Sequence, residues 1–88
     1  LKRFADIKDE RRRTYAAMQS AMDDAIGVVL QKLRDCSLEE NTLVIFLSDH
    51  GGAAGSRTPN GAINAPLRGA KLNMYEGGIR VPLLMQWR

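Results

Sequence analysis

The chain has 88 residues, of which 44% are hydrophobic and 26% are charged, and its net charge is +3. This balance is typical of a soluble globular protein and argues against a collagen-like, coiled-coil or wholly disordered chain. The longest apolar run, Leu43 to Leu47, has five residues, whereas a membrane-spanning helix needs about 18. We therefore expect no membrane span. The charged N-terminus also lacks the apolar segment of a signal peptide.

The basic excess is local, because residues 1–13 carry six basic and three acidic side chains and the rest of the chain is neutral. A nucleic-acid-binding module built on Arg11, Arg12 and Arg13 is therefore the alternative from a different functional class. This hypothesis rests on the cluster alone, and no aromatic side chains are interleaved with its arginines. We interpret the cluster as the solvated start of a helix and expect no nucleic-acid partner.

The first predicted element is a helix over about residues 9–35. Apolar side chains recur at steps of three and four from Tyr15 to Leu33, which is the helical period. Asp9 precedes the pattern and is a candidate N-cap. Gly27 would cost about 1 kcal/mol in a helix interior, so we interpret it as the site of a close contact between the helix and a sheet.

A nearly continuous apolar segment follows and predicts a strand over residues 42–48. Such a segment is typical of a strand buried on both faces, as in a parallel sheet. A second strand is predicted over residues 80–87, after a glycine-rich loop over residues 49–79 whose length favours a functional role. Two strands and one helix do not close a core. We therefore expect a segment of an α/β sandwich with a central, mostly parallel sheet.

Three side chains in this loop are candidates for chemistry. Asp49 and His50 follow the first strand, and ligands of open α/β sheets bind beyond the carboxyl ends of strands. A carboxylate and an imidazole can both ligate a metal, although the same residues could form a simple turn with an exposed histidine. Lys71 lies between glycines and could hold an anionic group as a point charge, or it could be an ordinary surface lysine.

Three other polar residues are given no catalytic role. Glu76 and Arg80 flank two glycines, and we expect a tight turn in which they bond each other or the backbone. Cys36 has no basic neighbour that would activate it. As the only cysteine it also excludes an internal disulfide and a zinc site of paired cysteines.

Taken in order, three blocks of this chain resemble the sulfatase family of the alkaline-phosphatase superfamily, and bacterial-type arylsulfatases most. The blocks are 41–52 (NTLVIFLSDHGG), 64–71 (NAPLRGAK) and 75–82 (YEGGIRVP). The preceding helix is also similar to that of the family, with Tyr15, Asp24 and Gly27 in matching places. The resemblance covers nearly the whole chain, and the order of the three blocks is specific.

The resemblance implies an enzyme that hydrolyses a sulfate ester of a sugar or aryl compound. By it, Asp49 and His50 match the positions that hold a divalent cation, usually calcium, with Mn²⁺ or Zn²⁺ as alternatives. Lys71 matches the lysine that binds the substrate sulfate and serves in catalysis. The family's nucleophile is a formylglycine made within a Cys/Ser-x-Pro-x-Arg motif, and its members are periplasmic, secreted or lysosomal.

That motif is absent here, because residues 36–40 (CSLEE) contain neither the proline nor the arginine. We therefore expect residues 1–88 to be an interior-to-C-terminal slice of the catalytic domain, inactive in isolation, with the formylglycine in a preceding part. Two alternatives remain: a phosphonate or phosphodiester hydrolase of the same superfamily, and a non-catalytic homologue. Lys71 and the block at residues 75–78 favour a sulfatase over the first of these.

Overall fold

The structure is a computed structural model that describes residues 2–54 and 60–88. The long helix and the two strands expected from the sequence are present, and residues 55–59 of the predicted loop lie outside the described residues. The elements are helix α1 (Glu10–Asp35), strand β1 (Val44–Leu47), helix α2 (Glu76–Ile79) and strand β2 (Leu83–Gln86), with short 3-10 helices at Lys2–Phe4 and Glu39–Asn41. In the described part of the chain, no helix has the length and apolar character to cross a membrane.

Helix α1 begins where the sequence predicts a cap. The Asp9 carboxylate accepts a hydrogen bond from the backbone N–H of Arg12 at 2.6 Å, which satisfies one of the free donors of the first turn. The cap prediction for Asp9 is confirmed. At the other end, Lys32 and Arg34 lie in the last turn, where positive charge complements the helix dipole.

The C-terminus of α1 closes with a Schellman motif. The Leu38 N–H donates to the Leu33 carbonyl and the Ser37 N–H donates to the Arg34 carbonyl, both at 2.9 Å. This pattern requires a left-handed residue after the cap, and Ser37 takes that conformation with φ 55°. Glycine is the usual residue at this position because it has no side chain to clash with the backbone.

Replacing Ser37 by glycine is therefore expected to stabilise the protein by about 0.5–1 kcal/mol, because the left-handed conformation costs a non-glycine residue about 1–2 kcal/mol and glycine loses part of that gain as entropy. Denaturant unfolding of Ser37→Gly measures the change. Ser37→Ala is the control, since it removes the hydroxyl and keeps the backbone penalty. A Ser37→Gly variant less stable than the parent would contradict this explanation of the helix end.

The two strands pair with each other and run antiparallel. Val44 lies opposite Gln86 and Leu47 opposite Leu83, and the Ser48 N–H extends the ladder to the Pro82 carbonyl at 3.2 Å. The chain reverses between the strands, so that β2 returns along β1. The mostly parallel sheet expected from the apolar run is thus not present in the two described strands.

One face of this sheet looks toward α1 and the other has no cover among the described residues. Val44 and Phe46 are half-buried, whereas Ile45 and Leu47 are 50% and 58% exposed. Ala62 is the one apolar residue that is buried in the described part of the chain. This agrees with the expectation that one helix and two strands do not close a core.

The interpretation of Gly27 as a helix–sheet contact is wrong. Gly27 is exposed, and apart from the adjacent residues and backbone of its own helix, no atom of residues 2–54 and 60–88 lies within 4 Å of the position that its Cβ would take. The apolar stripe of α1 turns Met22 and Ile26 toward the sheet and leaves Gly27 on another face. Nothing in the described structure explains a glycine at this position.

Candidate functional site

The candidate site lies where β1 ends and β2 begins. Antiparallel pairing brings these two ends together, and the Gly51 N–H donates to the Gly78 carbonyl at 2.8 Å. An open cleft of ≈ 700 Å³ separates this end of the sheet from α1. Its lining includes Asp49, His50, Gly51 and Gly52, together with Tyr15 of the helix.

Asp49 and His50 turn toward each other rather than to opposite faces, because the chain has left the strand. The distance from Asp49 Oδ2 to His50 Nε2 is 3.3 Å, and the two side chains are 84% and 37% exposed. The other ring nitrogen, His50 Nδ1, lies 3.0 Å from the Gly51 carbonyl oxygen. That oxygen can only accept a hydrogen bond, so the contact is a hydrogen bond in the tautomer that carries a proton on Nδ1.

A doubly protonated His50 ring would form an ion pair with Asp49, whereas in the neutral tautomer with its proton on Nδ1, Nε2 is an electron-pair donor 3.3 Å from Asp49 Oδ2. Two electron-pair donors then point into the same space, and a cation between them would be attracted by both. Carboxylate oxygen and imidazole nitrogen are ordinary metal ligands. The donor set thus fits a metal ion, although no third His, Cys, Asp or Glu joins the pair among residues 2–54 and 60–88.

At this strand end, backbone segments around Gly51, Gly69 and Gly77 pack so closely that no side chain fits between them. A Cβ on Gly51 would overlap the Gly77 carbonyl oxygen, and a Cβ on Gly77 would overlap the Gly69 carbonyl oxygen. The Gly77 N–H also donates to the Arg68 carbonyl at 2.7 Å. These glycines therefore allow backbone segments to touch, which is a packing reason for the Gly-rich composition of the loop.

Lys71 is brought to the same region through its backbone. Its N–H donates to the Gly52 carbonyl at 3.2 Å, which places its main chain beside the turn that carries Asp49 and His50. The Lys71 side chain is exposed and does not line the cleft. The sequence-predicted residues are thus joined in one loop cluster, with the lysine at its edge.

Asn64 is a residue to which the sequence analysis assigned no role. Its amide oxygen accepts from the Gly52 N–H at 3.0 Å, and its amide nitrogen donates to the carbonyls of Gly52 at 2.8 Å and Gly69 at 3.1 Å. The signal available in the sequence was an asparagine among glycines, a side chain well suited to imitate a backbone amide.

The structural interpretation of Glu76 and Arg80 is confirmed. Arg80, the C-cap residue of α2, donates from Nη1 to Oε2 of Glu76, the first residue of that helix, at 3.0 Å. Both side chains are more than 60% exposed, so this ion pair adds little stability. Cys36 is an exposed free thiol and forms no part of the cleft.

Two of the arginines in the basic cluster bind the protein's own backbone. Arg12 Nη1 donates to the Gly61 carbonyl at 2.8 Å, and Arg13 Nη1 donates to the Ile7 carbonyl at 3.2 Å. A Cβ on Gly61, which has φ 83°, would lie 2.7 Å from the Arg11 carbonyl oxygen. The cluster therefore docks the loop onto the first turn of α1, a structural use of these charges.

Comparison with known proteins supports the resemblance to sulfatases that the sequence indicated. Residues 2–88 match the family model described as Sulfatase. The chain is 44% identical over 77 residues to steryl-sulfatase of Rattus norvegicus, in a match that covers 83% of this chain and 13% of that protein. It is 38% identical over 77 residues to N-acetylgalactosamine-6-sulfatase of Homo sapiens, covering 88% of this chain and 15% of the relative.

The backbone of this chain is also similar to that of a solved structure. The crystal structure of Ps i-CgsB in complex with k-i-k-neocarrahexaose superposes with a TM-score of 0.88 at 40% identity, covering 98% of this chain and 18% of that one. The chain belongs to the sulfatase family. It spans about 13–15% of the length of the two curated relatives above. The family acts on sulfate esters, and membership implies a divalent cation.

Proposed function

We propose that these 88 residues work as the interior-to-C-terminal part of a sulfatase catalytic domain that hydrolyses a sulfate ester. The observation that carries the proposal is the pairing of Asp49 with His50 at 3.3 Å, at a strand end that also holds the backbone of Lys71. A pair of candidate metal ligands and a lysine whose backbone is held in the same loop cluster suit an anionic substrate.

In this proposal Asp49 and His50 contribute two ligands to a divalent cation. Calcium is the ion we propose, with Mn²⁺ or Zn²⁺ as alternatives. When bound, a divalent cation offsets negative charge on the sulfate and on the attacking group. Asp49 supplies an anionic oxygen, and the Gly51 carbonyl holds the His50 ring so that Nε2 faces the same space. The remaining ligands come from other parts of the domain.

Lys71 supplies the complementary charge in this proposal. Its ammonium binds a sulfate oxygen as a compact point charge and stabilises the charge that shifts among these oxygens as the ester bond breaks. The backbone bond to Gly52 limits how far the root of this side chain can move. The nucleophile, a formylglycine on a family-type motif, belongs to a part of the domain outside these residues.

The exposed face of the sheet supports the same placement. Ile45, Leu47, Leu83 and Met85 lie on this face in register, and each is at least 50% exposed. We propose that further strands and helices of the domain cover it and that the complete sheet is mostly parallel. An apolar sheet face of this kind is stable when packed against another layer.

The substrate proposed is a sulfate ester of a sugar or of an aryl compound. The relatives reported above are named for a steroid and for an amino sugar, and the solved relative is in complex with an oligosaccharide. These names favour sulfate esters over the phosphonates and phosphodiesters of the alternative hypothesis, because each curated relative named above is a sulfatase. The residues that would select the alcohol part of the ester lie elsewhere.

Hydrolysis assays on the complete protein test this function. We expect release of sulfate from 4-nitrophenyl sulfate or from a sulfated oligosaccharide, activity that is lost on chelation and restored by calcium. Parallel assays with bis(4-nitrophenyl) phosphate and a phosphonate ester measure the alternative. Faster turnover of the phosphorus esters would favour the other branch of the superfamily. No turnover of any ester would favour a non-catalytic homologue.

A further inference from the structure

Asn64 lies between the two halves of the candidate site. Its side chain binds Gly52 on one side through both the N–H and the carbonyl, and Gly69 on the other through the carbonyl. Both amide hydrogens and the amide oxygen are therefore engaged with backbone partners. Such an amide is held in one orientation, because any rotation breaks at least one of these bonds.

The two partners of Asn64 are close in sequence to the candidate functional residues. Gly52 lies two positions after His50, and Gly69 lies two positions before Lys71. The Gly52 carbonyl also accepts the Lys71 N–H at 3.2 Å. This carbonyl oxygen therefore accepts hydrogen bonds from Asn64 and from the lysine backbone, besides a local one from the Ala54 N–H at 2.8 Å.

The contact is possible because Gly52 has no side chain. A Cβ at this position would lie 2.8 Å from the Asn64 amide oxygen and 2.7 Å from the Ala62 Cβ. The glycine after the Asp-His pair thus admits the asparagine. Asn64 is half-buried, so its bonds are partly shielded from competing water.

We propose that Asn64 is a positioning residue that sets the separation between the Asp49–His50 pair and Lys71. The inference rests on the proposed sulfatase function. Asn64 touches no substrate in this proposal. It acts through Lys71, because it ties Gly52 to Gly69, two residues before Lys71, in addition to the direct hydrogen bond from the Lys71 N–H to the Gly52 carbonyl.

Two variants and one control test the proposal in the complete enzyme. Asn64→Ala removes all three bonds, and Asn64→Asp keeps the shape but turns a carboxylate oxygen toward two carbonyls. We expect kcat/KM on 4-nitrophenyl sulfate to fall about 10–100-fold in each, since misplacing a catalytic group by about 1 Å can cost 10²-fold. Asn60→Ala is the control, because Asn60 binds the Ala62 N–H at 3.0 Å in the same loop. It should stay within about twofold of wild type.

A double-mutant cycle separates positioning from a merely structural role. In a Lys71→Ala background, Asn64→Ala should lower kcat/KM by less than about threefold, because the group that it positions is already gone. If the loss in that background is as large as in the wild type, the two effects are independent and the proposal is overturned. An unchanged kcat/KM in both Asn64 variants would overturn it as well.

Amide hydrogen exchange provides a readout that does not depend on turnover. Asn64→Ala should speed exchange at the N–H groups of Gly52 and Lys71, and Asn60→Ala should leave both unchanged. A wild-type enzyme that hydrolyses no sulfate ester would overturn the proposed function, while the exchange rates would still decide whether Asn64 holds these segments. Unchanged exchange in Asn64→Ala would overturn the positioning role even in an active sulfatase.

Discussion

Asp49→Ala in the complete enzyme is expected to abolish metal-dependent hydrolysis and to lower calcium affinity by more than about 100-fold. Losing groups that only support a metal ligand already costs about 10–100-fold, and Asp49 is proposed to be a ligand itself. A methyl group offers no oxygen to a hard cation. The variant also leaves His50 Nε2 without the carboxylate that now lies 3.3 Å away.

Calorimetric titration of calcium into the metal-free enzyme, together with steady-state rates, measures both effects. Asp6→Ala is the matched control, because Asp6 is an exposed aspartate in the turn before α1. His50→Asn should be milder than Asp49→Ala, since an amide oxygen can still ligate calcium. Wild-type metal affinity and rate in Asp49→Ala would remove this strand end from the metal site.

Asp49→Ala should hardly change the stability of the metal-free protein. The Asp49 side chain is 84% exposed in this chain, and exposed ion pairs contribute about 0–1 kcal/mol. A loss of activity with an unchanged melting temperature of the metal-free enzyme would therefore report on the site rather than on folding. A large drop in that melting temperature would instead assign Asp49 a structural role.

Lys71→Ala in the complete enzyme is expected to lower kcat for sulfate-ester hydrolysis by about 10²–10³-fold. Removing one preorganised donor to developing negative charge costs about this much in other enzymes. Lys71→Arg should rescue only in part, because a planar guanidinium replaces a compact ammonium. The exposure of the Lys71 side chain predicts that neither variant changes stability by more than about 0.5 kcal/mol.

Steady-state kinetics and thermal melts of the two Lys71 variants decide between the two interpretations of this residue. Lys8→Ala is the control, since Lys8 is an exposed lysine before α1. If kcat/KM in Lys71→Ala equals that of the control, Lys71 is an ordinary surface lysine. If it falls as expected, the lysine acts on the substrate although its side chain lies outside the cleft lining described for this chain.

Helix α1 shows how far local sequence information reaches. The apolar period and the Asp9 cap predicted a helix over about residues 9–35, and the observed helix is Glu10–Asp35. Both signals act within one or two turns, so no distant part of the chain is needed to interpret them. The Gly27 interpretation failed because it depended on which helix face meets the sheet, and that is a tertiary property.

Strand β1 shows where local information stops. A continuous apolar run predicts burial but carries no information on the direction of the neighbouring strand. The observed partner, β2, lies about forty residues later and runs antiparallel. Its direction follows from how the loop returns, and the sequence pattern does not encode that path.

In the candidate site, too, local sequence predicted some features and only the folded structure decided others. The positions of Asp49 and His50 could be predicted because a polar pair followed by glycines ends an apolar strand. Their approach to each other, and the contact of Lys71 with Gly52, required the folded loop. Asn64 went unassigned because its partners, Gly52 and Gly69, lie on different segments, and no spacing rule links an asparagine to distant backbone groups.

By itself the sequence determined the long helix, the two strands and the family to which the chain belongs. Helical period and capping depend on residues close together in the chain, and the order of the motifs can be read directly along the sequence. Only the tertiary structure decided that the strands pair antiparallel, that glycine backbones of three segments touch, and that Asn64 joins Gly52 to Gly69. These features depend on hydrogen bonds and close packing between residues far apart in the chain, where local preferences have no influence.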